Sequence, residues 1–189
     1  MATLGKTVKG ASQVENGWSP SFILTKVVAQ EYGKITQISA HLYWGAAGKS
    51  AKGVVVSHDA LNDRPLAKLD EGVSVPVTPY QFNDFTGLSY VMATGEVLWI
   101  GVYCEGNPYS SGDIVAGHKT MVWKQGDAYP TVPEVYAPIF TPYVTDLEAA
   151  IYAIYTPTDE PPPPPVTTHI LTVDSTPIQG IPFTIEKVT

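Results

Sequence analysis

The chain has a single cysteine, Cys104, in 189 residues, which excludes an internal disulfide framework and any cysteine-based zinc site. Charge is scarce too, at 15% of residues against a usual quarter. Basic residues are the scarcer sign, with 11 Lys and Arg against 18 Asp and Glu and a net charge of −7. Phosphate backbones need a basic face, so nucleic acid is not an expected partner. No window approaches eighteen consecutive apolar residues, and no membrane insertion is expected. Met1–Thr7 lacks the apolar stretch of a secretory signal, which fits a mature or engineered start, or export inside a virion.

What is present is a core. Hydrophobic residues make up 44% and aromatics 11%, too much for a disordered chain. Ile38, Ala40, Leu42 and Trp44 alternate with Gln37, Ser39, His41 and Tyr43, the mark of a half-buried strand. Val73, Val75 and Val77 alternate with Gly72, Ser74 and Pro76, and the proline predicts a sheet edge. The runs Phe22–Val28, Val54–Ser57, Val97–Cys104 and Thr120–Lys124 are short, apolar and bounded by turn residues. Ala149, Ile151, Ala153 and Tyr155 repeat the alternation, although Asp146–Ala153 also has helix-forming composition. About eight such strands with no convincing amphipathic helix predict an all-β fold: an antiparallel β-sandwich, jelly-roll-like. Tyr129–Tyr143 carries Pro130, Pro133, Pro138 and Pro142 and should cross the sandwich surface irregularly. Cys104 closes an apolar run and precedes Glu105, so a buried thiol is expected rather than a reactive one.

Three parts are expected: a sandwich domain over 1–156, a proline-rich linker over 157–165, and a C-terminal tail over 166–189. The run Pro161–Pro165 adopts polyproline II and, at ~3.1 Å per residue, spans about 15 Å. The tail has strand-like pieces at Ile170–Val173 and Ile181–Val188. Its residues Ile170, Leu171, Val173, Ile181, Phe183, Ile185 and Val188 are too apolar for a solvated linker, yet a lone hairpin is marginal in water. Three destinations remain open: the start of a second domain, a fold back onto the sandwich, or addition to a neighbour's sheet edge. Residues 1–70 carry a net +3 and residues 71–189 a net −10, a distribution that favours head-to-tail contact between copies.

Chemistry is sparse. His41, His58, His118 and His169 are scattered, and no P-loop or Gly-x-Ser-x-Gly elbow occurs. Asp59, Asn62 and Asp63 crowd one loop; they are a calcium candidate, with an Asx-rich turn as the plainer alternative. Asp70 with Glu71, and Asp146 with Glu148, give no reason for a raised carboxyl pKa. No catalytic residue, cofactor or other metal is expected. Tyr103, Tyr109, Trp123 and Tyr129, near Asn107 and Asp113, form a candidate face for a sugar ring or protein partner; alternatively Trp99 and Trp123 are core and the tyrosines line its edges.

The segments Gly5-Lys6-Thr7, Phe22-Ile23-Leu24-Thr25 and Gly33–Leu42 resemble the opening of β-sandwich modules of phage tail and other virion proteins and of archaeal surface proteins. Asp59…Arg64-Pro65-Leu66-Ala67 and Leu98–Tyr103 resemble their middle, and Ile151–Pro157 their end. The tail His169–Ile178 is similar to the start of an archaeal Ig-like surface module, but stops after one hairpin. The resemblance implies a non-catalytic role in assembly or adhesion. The expected function is therefore a structural protein of an extracellular filament or virion surface, a homo-oligomer or polymer built by donation of the tail strand. The alternative is a carbohydrate-binding or host-adhesion module that recognises a surface glycan.

Overall fold

The computed structural model describes residues 1–15, 21–43, 48–106, 109–124, 129–132, 134 and 143–159, and every helix-or-strand element among them is a strand. In chain order these are β1 (Ala2–Gly5), β2 (Ser12–Glu15), β3 (Ser21–Val28), β4 (Gly33–Leu42), β5 (Ser50–Asp59), β6 (Arg64–Glu71) and β7 (Val75–Pro76). There follow β8 (Gln81–Met92), β9 (Val97–Cys104), β10 (Tyr109–Ile114), β11 (Thr120–Lys124), β12 (Tyr143–Thr145), β13 (Leu147–Ala149) and β14 (Ile151–Pro157). They form two antiparallel sheets, and the fold is an all-β sandwich. In the first sheet β1, β14, β4, β10 and β13 are successive neighbours, with β8 along the other side of β4 and β2 beside β10. In the second the order is β12, β11, β3, β9, β5, β6, and β7 also pairs with β5.

The main core lies between the sheets. Ile35, Ile38, Ala40, Leu42, Phe85, Ile151 and Ala153 of the first meet Ile23, Val55, Ile100, Val102 and Cys104 of the second, all fully buried. Gly53 of β5 sits at the closest approach. A Cβ there would stand 2.8 Å from Phe85 Cβ and 3.0 Å from Ile38 Cβ, so a side chain is excluded while the sheets keep this spacing.

A second core covers the outer face of the second sheet. Phe22, Leu24, Val54, Val56, Trp99, Tyr103 and Met121 are packed there with Val132, and Tyr129 lies against them. The described residues of the proline-rich crossing, 129–132 and 134, thus run over the sandwich surface, as expected. With both faces covered, β9 has almost no solvent phase, which explains its unbroken apolar run, and β3 is buried over Ser21–Thr25 before Lys26 and Val28 reach solvent.

The last strand closes the first sheet. Ala2–Gly5 pairs with Tyr155–Tyr152, and on the opposite side β14 runs from Ile151↔Ala40 to Pro157↔Gly33. Thr158 N adds a bond to Tyr32 O at 3.2 Å. The body therefore reaches slightly past the expected boundary at 156. Proline is tolerated at 157 because β1 has already ended opposite Tyr155, leaving that side unpaired. The run Pro161–Pro165 and the tail residues Ile170, Leu171, Val173, Ile181, Phe183, Ile185 and Val188 lie outside the described residues.

Candidate functional site

The four aromatics of the candidate glycan face do not share one. Tyr103 is fully buried in the second sheet, stacked on Phe22 with centroids 4.3 Å apart. Its ring is closed off because Tyr129 covers it at 5.6 Å, and the Tyr129 hydroxyl is bonded to Ser74. Tyr109 stands half-buried on β10 of the other sheet. Trp123 belongs to β11, opposite Phe22 in the ladder, and its side chain lies outside the described residues. Asp113 is occupied by Lys6 Nζ at 2.7 Å and by the amide of Ala11.

The acidic loop is likewise committed to its own structure. The Asp59 carboxylate accepts from the amides of Leu61 and Asn62, from Asn62 Nδ2 and from Arg64 Nε, forming an Asx turn. Asp63 turns away to Lys26 Nζ at 2.8 Å and to Lys119. These two lysines hold its carboxyl down at about 2. The loop thus latches β3 to the start of β11, and Asp59, Asn62 and Asp63 do not converge on a cation position.

Lys26 and Lys119 also border an open cleft of about 450 Å³ between β1, the end of β3 and the turn at His118, with Glu148 on its wall. His118 Nε2 is 3.0 Å from Thr25 Oγ1. Burial lowers the histidine's pKa, and Thr25 is itself buried. The pair seals a polar seam and presents no hydroxyl for attack. Cys104 is buried as expected, and burial pushes its thiol pKa up.

Among the described residues, two features stand out as open to partners. The first is the outer edge of β8. Among the described residues this twelve-residue strand pairs only with β4. Its far half is partly guarded: Val73 N donates to Thr86 O, and Asp70 accepts from the amide of Ser89. The bulge at Gly87 (φ 88°) also breaks the ladder, since register passes from Ile35↔Tyr90 to Gln37↔Thr86. No backbone hydrogen bond among the described residues reaches Gln81–Phe85 from the side away from β4. The second-sheet edge β6 is better protected, by Arg64, Lys68, Asp70 and Glu71 and by the bond from Lys68 N to Glu134 O.

The second is the outer face of the first sheet. Register places Tyr152, Ser39 and Asp84 in one row across β14, β4 and β8, with His41 opposite Phe82 in the next. Phe82 and Tyr152 meet edge to face at 5.5 Å, and Phe82 meets His41 at 5.3 Å. Beside them runs a polar line: Gln37 Nε2 donates to Ser39 Oγ at 3.0 Å, and the Ser39 hydroxyl donates to the Asp84 carboxylate. Tyr43 and Tyr80 extend the aromatic strip, with Lys9 over the Tyr43 ring at 5.6 Å. Sequence reasoning missed this face. The available signal was Tyr152 and Tyr43 on the phase of their strands opposite the core, where polar residues are the norm.

No protein-family model, curated protein or solved structure matches the chain.

Proposed function

We propose that the chain is a non-enzymatic structural module of an extracellular filament or virion surface, whose C-terminal strand adds to the β8 edge of a neighbouring copy. The observation that carries this reading is the edge at Gln81–Phe85, which offers main-chain donors and acceptors with no partner strand among the described residues. Such an edge is a template for strand addition. The strand expected at Ile181–Val188 is about 27 Å long at ~3.4 Å per residue and the open stretch Gln81–Phe85 about 17 Å, so roughly five residues of the donated strand would pair. Donation from the end of one copy to the edge of the next is heterologous and propagates without closing.

The test compares the full chain with a form lacking 166–189 and with Asp84→Pro, which removes a main-chain donor from the open stretch at a position that shares the outward phase of Thr86. Light scattering and negative-stain imaging should show polymers of the full chain and monomers of both variants. Unchanged polymers from the shortened form, or a monomeric full chain, overturn the proposal.

A carbohydrate-binding or host-adhesion role is the second reading. The specific observation in its favour is the aromatic and polar strip on the outer face of the first sheet.

A further inference from the structure

We propose that Tyr152 and Phe82, with Gln37, Ser39 and Asp84 beside them, form a binding site for a neutral hexopyranose chain; the inference rests on the adhesion reading and gives it a place and a ligand class. Three strands assemble the site. Ser39 is fully buried at its floor, Tyr152, Phe82 and Gln37 are half-buried, and Asp84 is exposed. The rings are fixed by their mutual contact and by His41 beneath Phe82, so little side-chain freedom is left to lose on binding.

The chemistry selects the ligand. An aromatic face carries partial negative charge and favours the weakly positive C–H face of a sugar ring. Beyond the bonds already made, Gln37 keeps an amide oxygen and a further N–H, and Asp84 keeps acceptor sites on its carboxylate. Adjacent ring hydroxyls donate and accept at once, so they match this mixed set. A phosphate or acidic sugar set against this row meets the Asp84 carboxylate, whereas an apolar peptide segment strips Asp84 and Gln37 of water without replacing its bonds. The floor is neutral as well. His41 Nδ1 is buried with no hydrogen-bond partner among the described residues, and burial together with Lys9 disfavours its protonation.

The experiment titrates the full chain with cellopentaose, laminaripentaose and mannopentaose, by calorimetry and by NMR of the His41 ring. At least one should bind at about 10 mM or below and shift the His41 signals, a weak affinity typical of a single open face. Tyr152→Ala should weaken that binding about tenfold or more and Asp84→Asn several-fold, while Tyr152→Phe retains it. Asp84 is exposed, so its variant reports on binding even if Tyr152→Ala unfolds. Absence of binding to all three sugars overturns both the site and the adhesion reading behind it. Binding that is indifferent to Asp84→Asn and to Tyr152→Ala overturns the site alone.

Discussion

Phe22 and Tyr103 face each other across β3 and β9, with planes inclined by 19° and both rings fully buried beneath the proline-rich crossing. The stack anchors a core that would otherwise be the wet face of a sheet. Phe22→Ala should lower stability by about 3–5 kcal/mol, as large aromatic truncations in cores do. Urea unfolding should show a lower midpoint at unchanged slope; a loss below about 1 kcal/mol would mean that the face is solvated.

The close approach at Gly53 makes the opposite kind of prediction. Gly53→Ala adds volume against Phe85 and Ile38 and should cost about 1–3 kcal/mol through overpacking. Combining it with Phe85→Leu should cost less than the two single changes together, because the contacts are shared. Strict additivity in a thermal-unfolding cycle contradicts this account.

Asp63 makes stability depend on acid. Its folded pKa of about 2 lies below the unfolded value near 3.8, so its contribution is complete above that unfolded value and disappears as pH falls through about 2. Asp63→Asn should flatten the stability profile in that window. Asparagine also tolerates the positive φ of 48° at this position. The carboxylate is over a third exposed, so the difference should be modest and should shrink with added salt. A variant profile parallel to that of the parent between pH 4 and 2 rules the latch out.

Cys104 should ignore a thiol reagent in the folded protein and react promptly once urea unfolds it, because it is buried and its thiolate is disfavoured. Stoichiometric labelling under native conditions contradicts its place in the core.

The sandwich was legible where burial leaves a periodic trace. Ile38, Ala40 and Leu42 point inward as their alternation implies, and the unbroken run of β9 marks a strand sealed on both sides. The longest strand was not legible. In β8, Asn83, Asp84 and Gly87 are poor strand formers, and the bulge shifts the alternation midway. The charges that guard the edge of β6 hid that strand in the same way. Neither reading of Tyr103, as part of an exposed face or at the edge of the core, put it fully inside, because its cover comes from Tyr129 and Val132, beyond the reach of local periodicity. The Tyr152–Ser39–Asp84 row was invisible for a related reason: its members come from three separate strands, and only the register aligns them.

The pairing of β1 with β14 has a consequence for synthesis. Ala2 cannot meet Tyr155 until about 150 further residues have left the ribosome, roughly 8–30 s at ordinary elongation rates. Until then, any ribbon that β4 and β8 make has the flank reserved for β14 bare. Yield in cells should therefore depend on holdase chaperones more than the finished sandwich's stability suggests.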